Sequence, residues 1–69
     1  MGELKMFPMT YVSLSKGERT CSVVYANSSG RIVNVIGLPD SWLHGDGTLG
    51  VTRLRSAGWE EEGRGEVEE

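Results

Sequence analysis

The stretch from Thr20 to Leu38 constrains the fold most, because two apolar runs there flank Asn27-Ser28-Ser29-Gly30. Val23, Val24 and Tyr25 precede the break; Ile32, Val33, Val35 and Ile36 follow it. β-branched and aromatic residues on both sides of an Asn/Ser/Gly turn specify a β-hairpin rather than a helix. Upstream, Leu4 to Leu14 reads as a further strand whose start is marked by Pro8, a residue that cannot donate to a ladder and so suits a sheet edge. Ser15-Lys16-Gly17-Glu18 supplies the connecting turn, with Gly17 free to take a positive φ. These turns set Val12 opposite Cys21, Leu14 opposite Arg19, Tyr25 opposite Ile32 and Val23 opposite Asn34.

Alternation assigns the two faces of this three-stranded antiparallel meander, since side chains two apart share a side. One face gathers Val12, Leu14, Cys21, Val23, Tyr25, Ile32, Ile36 and Leu38, and it is the better core. The other gathers Phe7, Met9, Tyr11, Ser22, Val24, Ala26, Val33 and Val35, which is too apolar for a fully solvated surface. Val23, Ile32, Ile36 and Leu54 are the expected core residues.

Beyond Leu38, Pro39-Asp40-Ser41-Trp42-Leu43-His44-Gly45 fits one helical turn with a cap at Asp40 and a glycine stop. From Thr48 to Ala57 the residues Leu49, Val51, Leu54 and Ala57 recur at mostly helical intervals, and Gly58 stands where a helix stop belongs. Leu49, Val51, Arg53 and Arg55 also fit period two, but the Ala57-Gly58 ending favours a helix. Trp59 follows the stop and is placed to fold back onto the core. Leu54-Arg55-Ser56-Ala57-Gly58-Trp59-Glu60 resembles the ending "helix, then Gly-Trp, then strand" of small α+β domains and of some winged-helix proteins, and no functional residue follows from that resemblance. Glu60 to Glu69 holds one apolar residue in ten, a composition that predicts a disordered acidic tail. The expected fold is therefore α+β: a small antiparallel three-stranded β-meander, a short C-terminal helix and that tail, with one compact domain over 1–59 and the tail over 60–69.

At 69 residues a domain buries only about 60% of the surface its unfolded chain exposes, so a deep enclosed pocket is not expected. The single cysteine, Cys21, cannot close an internal disulfide, and the histidine and cysteine supply is too small for a structural zinc site. The segment Met1 to Met9 has neither the basic stretch nor the apolar run of a signal peptide, and no run of eighteen apolar residues occurs, which predicts a cytoplasmic protein without a membrane span. The net charge of -3 is concentrated in the last ten positions, which carry six of the ten acidic residues.

Gly45-Asp46-Gly47-Thr48-Leu49-Gly50 has the spacing G-x-G-x-x-G at the start of a predicted helix, where backbone amides can hold a phosphate. No strand leads directly into it, and Asp46 would repel the phosphate, so a plain loop is the better reading. His44 and Cys21 are the only residues of the usual nucleophilic or acid-base kind, and they fall on different elements without a third group. Lys16, Arg31, Arg53 and Arg55 are scattered bases beside an acidic segment, a poor footprint for nucleic acid. The expectation is no catalytic residue, no cofactor, no metal and no small-molecule substrate.

What remains is a small non-catalytic binding or regulatory protein that works through contact with a larger protein, or with a second copy of itself. The residues expected to carry that contact are Tyr11, Val33 and Val35 on the second sheet face, and Trp42, His44 and Trp59 around the helix, tryptophan being over-represented at binding hot spots. The alternative is a nucleic-acid-binding module that stacks bases on the sheet face bearing Phe7 and Tyr11.

Overall fold

The computed structural model describes residues 8–67. Leu4 and Phe7 lie outside the described residues, as do Glu68 and Glu69. The elements are β1 (Met9–Lys16), β2 (Arg19–Ala26), β3 (Ile32–Ile36), a 3-10 turn (Asp40–Trp42), α1 (Gly47–Ser56) and β4 (Glu60–Val67). The four strands form one antiparallel sheet in the order β3-β2-β1-β4.

The fourth strand corrects the expected fold. The sheet has four strands rather than three, and residues 60–67 are its last strand, paired with β1 from Met9↔Val67 to Ser15↔Glu60, rather than a disordered acidic tail. β1 is accordingly an inner strand and not an edge, with Pro8 just ahead of it. The physical reason is that β1 offers a row of backbone donors and acceptors that a strand can satisfy whatever its side chains are. One glycine eases the fit: a Cβ on Gly65 would lie 2.6 Å from Cε2 of the Tyr11 ring, so the ring covers the glycine of the neighbouring strand. At the other end Glu61 receives Arg55 from α1 at 2.5 Å and Arg64 at 2.9 Å.

The first hairpin closes two residues tighter than the turn sequence implies. Lys16 pairs with Arg19, Leu14 with Cys21 and Val12 with Val23, and Gly17 takes φ +63° at the first central position of a two-residue turn. A shift of two leaves each side chain on its expected face. The second hairpin does not keep its faces. Tyr25 pairs with Ile32 as expected, but Val24 pairs with Asn34 and Val23 with Val35, so Val33 is an extra residue in a β-bulge. Beyond it the alternation of β3 is inverted. Val35 turns towards the helix and packs on the core, whereas Ile36 is 62% exposed. Ile36 is thus not a core residue, and Val35 is not on the open face.

The core consists of Val12, Leu14, Cys21, Val23, Ile32, Val51 and Leu54, with Tyr25, Val35, Leu38, Trp42, Leu43 and Trp59 packed around it. The buried residues of α1 are Gly47, Gly50, Val51 and Leu54, the i, i+3, i+4, i+7 stripe of an amphipathic helix. Half of that stripe is glycine. A Cβ on Gly47 would overlap the Tyr25 side chain, and one on Gly50 would lie 3.1 Å from Trp42 Cζ3 and 3.5 Å from Ile32 Cδ1. Leu49, counted from the sequence as part of the stripe, is 67% exposed.

Candidate docking surfaces

The ends of α1 are fixed by local chemistry. Asp46 is the N-cap, its carboxylate accepting from Leu49 N at 3.0 Å and from Thr48 Oγ1 at 2.7 Å. The hydrogen bond from the Leu49 amide, with that from Thr48, holds the Asp46 carboxyl below its ordinary range,. The helix thus carries its own anion at the place where a G-x-G-x-x-G loop would bind a phosphate. The glycines of that spacing serve packing against Trp42, Ile32 and Tyr25. At the C-terminus Trp59 N donates to Leu54 O and Gly58 N to Arg55 O, both at 3.0 Å, with Gly58 at φ +101°. This is a Schellman motif, and Trp59 packs on the core as its hydrophobic contact,. Lys16 Nζ donates to Ala57 O at 2.7 Å, placing a cation at the negative end of the helix dipole.

The six residues expected to bind a partner are divided by this architecture. Val35, Trp42 and Trp59 are half-buried and engaged with the core. His44 is exposed in the loop before α1, at φ +71°, and its N–H donates to Ile32 O at 3.0 Å. Tyr11 is 38% exposed and Val33 47% exposed. Val33, Val35, Trp42 and His44 gather at the β3 side of the molecule. Tyr11 stands two strands away, and Trp59 is at the opposite end of the helix from Trp42. Two exposed residues that the sequence reading did not assign to a surface, Ile36 and Leu49, join the β3 side. The bulge that turns Ile36 outwards leaves no mark in the residue pattern.

Three surfaces result. The first is the sheet face away from α1, which no element covers among the described residues. Its rungs follow from the register: Val67, Met9 and Ala26, then Gly65, Tyr11, Val24 and Asn34, then Gly63, Ser13, Ser22 and Ile36. Apolar side chains fill the first rung and the middle of the second, which ends in Asn34; the third is polar across its middle, where the Ser13 and Ser22 hydroxyls meet at 3.4 Å. The second is a cleft of about 420 Å³ beside the helix N-terminus, between Ile32, Trp42, Leu49, Gly50 and Arg53. The third is the outer edge of β3.

Cys21, on β2, and His44, in the loop before α1, stand on different elements. Cys21 is buried in β2, and burial raises its thiol pKa, the reverse of what an active thiolate needs. No group of three or more His, Cys, Asp or Glu could hold a metal ion among the described residues, and no helix there is long and apolar enough to cross a membrane. Of the four scattered bases, Arg55 is paired with Glu61 and Lys16 with the end of the helix. Comparison with protein-family models, with curated proteins and with solved structures finds no match to this chain.

Proposed function

We propose that this chain is a small non-catalytic binding protein that acts by contact with a larger protein, docking through the sheet face opposite α1. The observation that carries the reading is the one-sided cover of the sheet: α1 shields one face, and the other presents Met9, Tyr11, Val24, Ala26 and Val67 on two adjacent rungs. A patch of this kind, bounded by polar residues, matches the arrangement of an interface core and rim. Tyr11 supplies the amphipathic anchor that such cores favour. Glu60 and Glu62 on β4 stand at the polar end of the sheet, where the Ser15 hydroxyl donates to the Glu62 carboxylate, and they favour a partner whose contact surface is edged by Lys or Arg.

The test is affinity capture with the parent chain and with Val24→Glu, a change at the centre of the patch that adds a charge and leaves the helix-side core untouched. A stoichiometric protein retained by the parent and lost by the variant, with the circular dichroism spectrum unchanged, supports the reading. A partner that binds both chains equally refutes the assignment of this face.

A further inference from the structure

We infer that the outer edge of β3 is a self-association edge, through which two copies of this chain join into one eight-stranded antiparallel sheet. This edge is separate from the face proposed above and does not depend on that proposal.

An edge strand presents unpaired backbone donors and acceptors, and proteins guard such edges with charge, proline, bulges or a covering segment. β3 is hydrogen-bonded along its outer edge over its first part only, and the 3-10 turn also lies against the strand. Ile32 N donates to Gly45 O at 2.8 Å, Ile32 O accepts from His44 N at 3.0 Å, and Arg31 bridges Asp46. From Val33 to Ile36 no backbone segment pairs with the outer edge among the described residues. Ile32-Val33-Asn34-Val35-Ile36 contains no charge and no proline, and the two outermost large apolar side chains of the sheet, Val33 and Ile36, belong to it. The other edge has the opposite chemistry. β4 reads Glu-Glu-Glu-Gly-Arg-Gly-Glu-Val, and four carboxylates against one guanidinium would repel a copy of themselves. In a chain of net charge -3 the β3 edge is where two copies can approach without bringing like charges together.

The register is determined by face matching. A two-fold axis perpendicular to the sheet keeps both helices on one side, so residues opposite each other across the junction must share a face. Asn34 and Ile36 face away from α1 and Val35 faces it. The bulge at Val33 and the break at Gly37 leave 34–36 as the regular stretch. An axis through Val35 uses all three residues: Val35 meets its own copy on the helix side, and Asn34 meets Ile36 of the second copy on the open side. So short a seam makes a weak dimer, at the small end of specific interfaces, with dissociation between about 1 µM and about 1 mM.

The experiment is sedimentation equilibrium on the full chain up to about 1 mM, the upper limit set above, with two double variants at exposed positions. Asn34→Lys/Ile36→Lys places like charges directly opposite each other across the axis, which disfavours pairing. Asn34→Lys/Ile36→Glu places opposite charges there. Dimer in the parent, monomer in the first variant and dimer in the second, all three with unchanged circular dichroism, is the result expected. A parent that is monomeric at the highest concentration overturns the inference. So do two double variants that behave alike, or a dimer that survives both and is lost in Val24→Glu, which would assign self-association to the open face instead.

Discussion

Ile32 and Ile36 stand four residues apart on one strand, and simple alternation gives them the same environment; the bulge at Val33 gives them opposite ones. Ile32 is 1% exposed and Ile36 is 62% exposed. Ile32→Ala removes three carbons, about 2.4 kcal/mol at roughly 0.8 kcal/mol per buried methylene. Those carbons occupy on the order of 80 Å³, and a void that did not close would add about 2 kcal/mol. The Ile32 Cδ1 atom lies against Gly50 and Gly45, which have no side chains to move into the gap, so the cost falls in the upper part of a range from about 2 to about 5 kcal/mol. Against a total stability of about 5 kcal/mol or little more for so small a domain, Ile32→Ala leaves the chain at the margin of folding at 25 °C. Ile36→Ala changes stability by less than about 0.5 kcal/mol, as for an exposed site. Urea titration followed by circular dichroism measures both, at a concentration where the chain is monomeric. Comparable losses in the two variants would show that alternation runs unbroken through β3, and the bulge, with the faces built on it, would be wrong.

Gly47→Ala reverses the direction that helix propensity implies: alanine is the better helix former, but its Cβ overlaps Tyr25, and overpacking costs about 1 to 3 kcal/mol. A melting temperature equal to or above that of the parent would show that the helix and β2 do not approach so closely. For Glu61, the hydrogen bonds from Arg64 and Arg55 hold the carboxyl down to about 2 from an ordinary 4.5, so the folded state binds its proton less readily than the unfolded chain. The contribution of this group to stability is therefore complete above pH 4.5 and is lost as pH falls from there towards 2,. Melting temperatures recorded across that window should fall less steeply for Glu61→Gln than for the parent, and identical slopes would mean that the ion triad does not couple to folding.

Much of the sheet was legible because side-chain burial and local propensity agree along β1 and β2. The period-two apolar positions Val12, Leu14, Cys21 and Val23 are all buried, and Gly17 marks the hairpin turn. The helix was legible from its ends rather than its face: Gly58 stops it as expected, but the residues that touch the sheet include Gly47 and Gly50, which a count of apolar residues passes over. From the sequence, Trp42 and Trp59 read equally as binding anchors and as caps on the core, Trp59 by its place just after the helix stop. Their roles come from close approach, Trp42 at the glycine of the helix and Trp59 at the capping motif, and neither distance is encoded in a local pattern. The bulge at Val33 was invisible for a related reason, since one unpaired residue in a run of β-branched residues changes the faces without changing the propensity.

The acidic segment poses the sharpest conflict between composition and structure. A stretch with one apolar residue in ten positions buries too little side chain to offset its own ordering if it stands alone. β4 does not stand alone: it meets a neighbour already held in the sheet, so each residue added gains backbone pairing without a further loop closure beyond the one α1 provides. Gly65 then becomes an asset, receiving the Tyr11 ring, and the charges find partners placed by tertiary structure, Glu61 with Arg55 and Glu62 with Ser15. The same logic explains why the two edges of the sheet differ. The strand that contributes little to the core carries the charge that keeps its outer edge from self-pairing, whereas β3, which supplies Ile32 and Val35 to the core, has a bulge, the contact of His44, Gly45 and Asp46 at its start and the 3-10 turn beside it to guard an uncharged edge.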